Sequence, residues 1–379
     1  MSNRLFNPRE LKRVALLCAY GLLLSTAAVA ADKLVYSVTT GQAGRWPRIE
    51  KTEIFAVDPQ GGQPRVVFSD AGADFLLVTS GERLTAAAGR RVFALGVDRK
   101  NYREGFPHFP SAVYELSTDG SNHARKIFDV KGENGSSNFR DLFVSPSGSK
   151  IGHINNLGGK WYLILHDTAT GKLLLKMDLT PIALDCFVRD IGWMPDGERL
   201  LFTLETGDVD MTSKASYARA GSYLMPDTGG VPVRVASDLT EHPRRPGYQP
   251  VADTPPTLLG QLPDGSFLLS EFQWKQGPAV RPPAKATTFL YTVSPTAMTR
   301  KNFLAGTNIL LGSVRLSASG RLVSYVEPHG EQRVGRDLID NRTVHVLDLA
   351  TRKDRGLFSC PAKLINLPLT ELIGWLDAK

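Results

Sequence analysis

The chain has 379 residues, 42% of them hydrophobic and 22% charged, with 35 Gly and 24 Pro. This balance excludes intrinsic disorder, collagen-like repeats and a polytopic membrane protein, and the turn formers favour a chain of many turns over a helical bundle. The net charge of +7 falls to +4 once residues 1–30, with four basic residues and one acidic, are set aside; that is too mild for a dedicated nucleic-acid binder.

Those thirty residues read as an export signal. Arg4, Arg9, Lys12 and Arg13 face only Glu10, an apolar run follows from Val14 to Leu24, and small residues lead through Ala28-Val29-Ala30. A positive start, a short apolar core and an A-x-A end describe a secretory signal peptide. The expected organisation is therefore a signal peptide over 1–30, cleaved after Ala30, and one domain over 31–379. The mature form is expected to be periplasmic or secreted, with no membrane span. Cys186 and Cys360 then remain. Export permits a disulfide between them; the repeat described next places them in opposite blades, where the other reading is two buried thiols acting as small hydrophobes.

From residue 33 onward the chain repeats itself. The unit is an apolar stretch, a small polar-Pro-Asp/Ser-Gly turn and a second β-rich stretch. A degenerate copy is Phe75-Leu-Leu-Val-Thr-Ser-Gly81, followed by Arg91-Val-Phe-Ala-Leu95. Clear copies are Asp141-Leu-Phe-Val-Ser-Pro-Ser-Gly148, Asp190-Ile-Gly-Trp-Met-Pro-Asp-Gly197, Leu258-Leu-Gly-Gln-Leu-Pro-Asp-Gly265 and Ser313-Val-Arg-Leu-Ser-Ala-Ser-Gly320, each leading into another β-rich run. Pro at the first central position pre-sets φ, and Gly closes the turn, so each copy is a hairpin. A second hairpin follows each, for example Ile54-Phe-Ala-Val-Asp58 with Gly61-Gly62, or Tyr162-Leu-Ile-Leu-His-Asp167 with Gly171. Short strands such as Val66-Val-Phe68 and Leu173-Leu-Leu175 come after. No stretch keeps a helical period for three turns.

Four antiparallel strands repeated around an axis make a propeller blade. There are six second hairpins and five complete first hairpins. Glu371-Leu-Ile-Gly-Trp375 matches Arg189-Asp-Ile-Gly-Trp193, and Lys33-Leu-Val-Tyr-Ser37 supplies the strand that would follow it. The expected fold is all-β: a six-bladed β-propeller of four-stranded antiparallel blades, its ring closed by the C-terminal strand completing the N-terminal blade. Closure of this kind removes an open strand edge.

The Ser-Pro-Ser-Gly148, Met-Pro-Asp-Gly197 and Leu-Pro-Asp-Gly265 turns resemble the PD40, or TolB-like, propeller repeat. That repeat builds the propeller of the periplasmic Tol-system translocation protein and the N-terminal propeller of prolyl oligopeptidases. The resemblance covers nearly all of 31–379 and implies the propeller alone, without the α/β domain of the first or the peptidase domain of the second. No Gly-x-Ser-x-Gly elbow occurs in the chain.

The mature chain gives about 58 residues per blade, above the roughly 40–45 of a minimal blade. The surplus sits between second and third strands, near 41–50, 99–110, 205–219, 273–287 and 327–342, with only about 156–160 in the third blade. Insertions on one face mark the binding face of a repeat protein. These segments carry Arg45, Trp46, Arg48, Tyr102, Arg103, His108, Tyr217, Arg219, Trp274, Lys275, His329, Arg333 and Arg336. Exposed aromatics beside cationic forks anchor interfaces and suit sugars or carboxylates. At the entrances of the inner strands, Arg140-Asp141, Arg189-Asp190 and Glu371 fall at matching repeat positions, where they either pair across blades or ring the channel mouth.

The seven His show no metal-ligand spacing, and Asp208-Val-Asp210 lacks the remaining ligands of a Ca²⁺ loop. No cofactor and no metal are expected. Two functions fit. One is an exported, monomeric, non-enzymatic module that binds an envelope protein or glycan through the long-loop face. The other is a propeller enzyme, a lyase or hydrolase on an oligosaccharide or lactone, with His108 or His329 converging at the channel mouth.

Overall fold

The computed structural model describes residues 32–377 apart from 43–47, 79–83, 101–110, 131–137, 158, 183–185, 207–220, 236–247, 251–255, 276–285, 295–298, 308, 311–312, 335–336 and 364–368. The expected signal peptide therefore lies outside the described residues. Among those described there is no helix, so none is long and apolar enough to cross a membrane.

Among the described residues, twenty-six strands form six antiparallel sheets. Blade 1 contains β1 (Lys33–Gln42), β2 (Arg48–Val57) and β3 (Arg65–Ser69). Blade 2 contains β4 (Phe75–Val78), β5 (Thr85–Ala88), β6 (Arg91–Asp98), β7 (Ser111–Leu116) and β8 (Ala124–Val130). Blade 3 is β9 (Asn138–Val144), β10 (Lys150–Leu157), β11 (Lys160–Asp167) and β12 (Leu173–Asp178). Blade 4 is β13 (Cys186–Trp193), β14 (Arg199–Thr206), β15 (Gly221–Pro226) and β16 (Val233–Arg234). Blade 5 is β17 (Tyr248–Pro250), β18 (Thr257–Gln261), β19 (Phe267–Lys275), β20 (Ala286–Val293) and β21 (Arg300–Thr307). Blade 6 is β22 (Arg315–Leu316), β23 (Leu322–Val334), β24 (Asp337–Asp348) and β25 (Lys353–Lys363). The last strand, β26 (Leu369–Leu376), returns to blade 1 and gives the order β26-β1-β2-β3.

Each blade is covered on both faces by its neighbours, so its second strand reads as an unbroken apolar run. Val92, Phe93, Ala94 and Leu95 of β6 are all buried, as are Leu200, Leu201 and Phe202 of β14. The core is correspondingly divided into six clusters, one at each junction of consecutive blades. The cluster between blades 6 and 1 joins Leu322, Val326, Val344 and Val346 to Leu34, Tyr36, Leu372 and Trp375. There β26 runs antiparallel to β1, with Leu34 opposite Trp375 and Thr39 opposite Leu369.

The repeated turn has one geometry. The amide of Gly148 donates to the Ser145 carbonyl at 2.8 Å, and Gly197 to Met194, Gly265 to Leu262 and Gly320 to Ser317 do the same at 2.9 Å. All four glycines have φ between +68° and +81°, a left-handed conformation that costs any residue with a Cβ. Opposite these turns, inner strands carry a bulge at one shared level. The register shifts at 141–142 in β9, 190–191 in β13, Leu259 in β18 and Ile373 in β26. Asp141 takes φ +52° there.

Three expectations change. The segment 327–342 is not a loop: β23 and β24 pair as far as Val334 opposite Asp337, and β25 follows β24 to Lys363 opposite Ile339. These strands outrun β10 by about five residues, so a three-stranded fin stands about 15 Å above the disc. The inner edge of blade 2 is made by two short strands in tandem, since β4 and β5 both pair with β6. Cys186 and Cys360 lie on β13 and β25, in blades 4 and 6 rather than opposite ones, because 360 falls on the outer strand of blade 6. One polar tie between blades had no sequence signal. Buried Asp70 accepts the Thr52 and Leu77 amides at 2.8 Å, and Arg99 donates to the carbonyls of Asp70 and Ala73 at 2.7 and 2.9 Å.

Candidate functional site

The inner strands converge on the axis around a cavity of about 330 Å³. All six blades contribute to its wall, through β5, β9, β13, β18, β22 and β26. At the level of the bulge the wall residues are Phe143, Gly192, Gly260, Arg315 and Gly374. These occupy one register position of the repeat, so Arg315 stands where three other blades have glycine. An added Cβ at Gly192 would meet nothing within 4 Å, which places this glycine against open space.

Arg315 is held from the face where inner strands begin. Its charge interacts with Glu371 of β26 and Asp141 of β9, both one step nearer that face. Burial pulls the guanidinium down from its ordinary value, and the two carboxylates push it back up; it stays protonated, as arginine does in proteins. Trp375 fixes the backbone at this point by donating its indole N–H to the Arg315 carbonyl at 3.1 Å. Across the cavity, Trp193 donates its indole N–H to Asp227 at 3.3 Å, and Lys150 also pairs with that carboxylate. Both indoles therefore turn apolar carbon toward the axis, because their one polar group is already engaged. Of the charges at the inner-strand entrances, Asp141 and Glu371 thus interact with Arg315 of another blade, and Arg140 lies over the Trp161 ring of its own blade at 5.2 Å.

The other expected site residues are placed as follows. Arg45, Trp46, Tyr102, Arg103, His108, Tyr217, Arg219 and Arg336 lie outside the described residues. Arg48 faces Gln42 in the β1–β2 register, Arg189 faces Thr203, Trp274 faces Gln249 and Ala286, Lys275 faces Tyr248, and Arg333 faces Leu338 on the fin. His329 is exposed at the base of the fin, with Nε2 2.6 Å from the Thr343 hydroxyl. The strand ends at Gln42 and Arg48, Asp98 and Ser111, Thr206 and Gly221, and Lys275 and Ala286, together with the fin, lie on the face where inner strands begin. The expected convergence of His108 with His329 lies outside the described residues.

Two clusters, one partly buried and one buried around His153, were missed at the sequence level. In blade 6, His345 sits between Glu327 at 3.1 Å and Asp354 at 3.3 Å, while the Tyr325 hydroxyl donates to Asp354 at 2.7 Å. Burial and the neighbouring carboxylate push the Tyr325 phenol up. For Asp354, burial pushes upward, but the hydrogen bonds from His345 and Tyr325 win and hold it below the usual carboxylate value. In blade 3, His153 stacks on Phe139 at 4.4 Å, and His166 stacks on Phe128 at 3.8 Å. Burial, with some repulsion from His166, lowers His153 to about 3, so it is neutral at ordinary pH. The first cluster ties three strands of blade 6, and the second joins blade 3 to Phe128 of blade 2. Among the described residues, no group of three or more His, Cys, Asp or Glu is placed to hold a metal ion.

The fold defines the class: a TolB-like, six-bladed β-propeller. Among solved structures the chain is similar to TolB from Acinetobacter baumannii, with a TM-score of 0.51 and 16% identity over 94% of this chain and 69% of that one. It is also similar to an oligogalacturonate lyase solved with manganese, with a TM-score of 0.41 and 11% identity, covering 81% and 73% of the two chains. The propeller domain of the Trilobed protease from Pyrococcus furiosus is matched with a TM-score of 0.36 and 8% identity, over 78% and 94%. At these identities the likeness is one of fold. No protein-family model matches the sequence, and no curated protein matches it.

Proposed function

We propose that the chain is an exported propeller that binds a protein or glycan of the cell envelope through the face carrying its long connections. The observation that supports this reading most is the one-sided distribution of added chain. The second-to-third-strand connections leave the disc on the face where inner strands begin, and blade 6 raises its fin there. The opposite face is trimmed to tight Pro-Ser-Gly and Pro-Asp-Gly turns. Long surface segments held on a rigid disc suit recognition. Arg48, Trp274, Lys275 and Arg333 stand on strands that end at this face, and Trp46, Tyr102 and Tyr217 belong to its connections by sequence. The basic N-terminal segment with its A-x-A end supports export.

The test is capture from envelope extract with residues 31–379 immobilised, comparing wild type with Trp46→Ala/Trp274→Ala. A partner held by wild type and lost by the double variant supports the face; equal retention removes it. A second reading, an enzyme acting on an oligosaccharide or lactone, draws on the charged group of Arg315, Glu371 and Asp141 at the axis. Turnover of oligouronides abolished by His108→Ala or His329→Ala would favour it.

A further inference from the structure

The rim of the disc carries an apolar patch. Among the described residues five large apolar side chains are exposed, and four of them, Leu173, Leu174, Val231 and Val233, lie at the outer edges of blades 3 and 4. Leu173 and Leu174 are 49% and 47% exposed, at a bulge in β12 where Leu175 faces Leu165, Leu173 faces His166 and Leu174 is the extra residue. Val231 and Val233 are 84% and 68% exposed. A Cβ added at Gly229 would lie 3.2 Å from Leu175 Cδ1, so the turn between β15 and β16 rests on β12, and the two pairs share one stretch of rim. Both pairs follow turns that are bonded to the tight turns. The Thr168 hydroxyl donates to the Gly148 carbonyl at 2.7 Å, and the Asp227 amide donates to the Glu198 carbonyl at 2.8 Å. The patch therefore sits at the margin of the tight-turn face, opposite the face where inner strands begin.

The exposed charge around the patch is mainly basic. Lys172 and Lys176 flank the leucines, and Arg234 follows Val233; all three are exposed. Nearby carboxylates are engaged within the fold: Asp227 with Lys150 and Trp193, Asp196 with Arg199, and Asp167 with Thr170. Glu198 is the exposed acid beside them. The chemistry selects among partners. A strand added to β12 would meet a bulge and two lysines, the devices that blunt a sheet edge. A globular protein would find leucines, valines and a glycine turn in place of aromatic and arginine anchors. An anionic lipid surface needs neither strand pairing nor shape complementarity. Aliphatic tips enter the headgroup boundary, and the cations beside them meet lipid phosphates.

We infer that the rim of blades 3 and 4 docks the protein reversibly on an anionic bilayer surface, with Leu173, Leu174, Val231 and Val233 entering the headgroup region and the flanking cations on its phosphates. The contact is peripheral and spans nothing. The patch is separate from the face where inner strands begin, and neither reading depends on the other.

The experiment is co-flotation of residues 31–379, which lack the apolar N-terminal run, with vesicles of phosphatidylcholine and phosphatidylglycerol in equal parts or of phosphatidylcholine alone. Wild type is expected to float with the mixed vesicles and about tenfold less with the neutral ones. Leu173→Thr/Leu174→Thr and Val231→Thr/Val233→Thr are each expected to lower partition about tenfold. These positions are exposed, so the wild-type melting temperature should be kept. Lys172→Glu should lower partition about fivefold or more. Lys301→Glu makes the same charge change at an exposed position on the rim of blade 5 and should stay within about twofold of wild type. Wild type that fails to float with the mixed vesicles would overturn the inference. So would undiminished flotation of both threonine pairs, or an equal loss in Lys301→Glu and Lys172→Glu, which would assign binding to net charge alone. Should a threonine pair fail to fold, the comparison of the two lysine variants still decides.

Discussion

Trp375→Ala probes the junction between the last strand and the sixth blade. Trp375 is 5% exposed and packs with Leu322, Val326, Val344 and Val346 of blade 6 and with Leu34 and Tyr36 of blade 1. Its indole also donates to the Arg315 carbonyl. Truncating a buried Trp costs about 3–5 kcal/mol, and the lost hydrogen bond is about 1 kcal/mol of that effect. For a chain of this size a loss of about 4 kcal/mol lowers the melting temperature by about 8 °C. Trp375→Phe keeps most of the contact and loses the donor, so about 3 °C is expected. Differential scanning calorimetry on residues 31–379 reads both. Removing 369–379 also strips out Leu372, Ile373 and Leu376, all buried, and should abolish the cooperative melt. A melting point for Trp375→Ala within about 1 °C of wild type, or a truncated chain that melts like the whole one, would refute the idea that this strand holds blades 6 and 1 together.

Asp70→Ala leaves the Thr52 and Leu77 amides buried without their acceptor and removes the carboxylate 3.7 Å from Arg99, and should cost about 3 kcal/mol by chemical denaturation; a loss under about 0.5 kcal/mol would show the tie between blades 1 and 2 to be incidental. His153 is depressed to about 3 when folded against about 6.5 when unfolded. The unfolded chain therefore takes up the proton first, and stability is full above about pH 6.5 and falls as pH drops toward 3. At pH 5 the loss is about 2 kcal/mol, and His153→Phe, which suits the Phe139 stack, should flatten the fall of melting temperature between pH 6.5 and 5. An unchanged pH profile in that variant would assign the slope to other groups. Gly320→Ala meets a φ of +68° and the Pro263 ring at 2.6 Å, so a loss of about 1–2 kcal/mol is expected, whereas Gly265→Ala, with open space around it, should lose only the conformational part.

The architecture was legible because its determinants are local and repeated. A tight turn closed by Asp-Gly or Ser-Gly dictates a hairpin, and five copies with one leftover strand at each end fix both the blade number and the pairing of Lys33–Gln42 with Leu369–Leu376. What escaped depended on contacts between strands and between blades, which no spacing reports. Asp70 lies in an ordinary turn and becomes a buried acceptor only when β4 docks beside β2. His345 meets Glu327 and Asp354 across three strands. The fin was read as a loop because the polar residues at 327–342 obscure any alternation of apolar and polar positions. Arg315 did leave a trace: in the Ser313-Val-Arg-Leu copy it occupies the glycine position of its sister repeats, one level below the charged positions that drew attention.

The partnership of β1 with β26 sets an order on assembly. Leu34 and Trp375 lie side by side although nearly the whole polypeptide separates them, and such remote contacts form late, after nearby hairpins have condensed. A nascent molecule therefore carries a bare strand at its leading end until synthesis is finished. For that interval the unfinished blade is a template for pairing with any passing strand, which makes premature termination more hazardous to the cell than substitution within a middle blade.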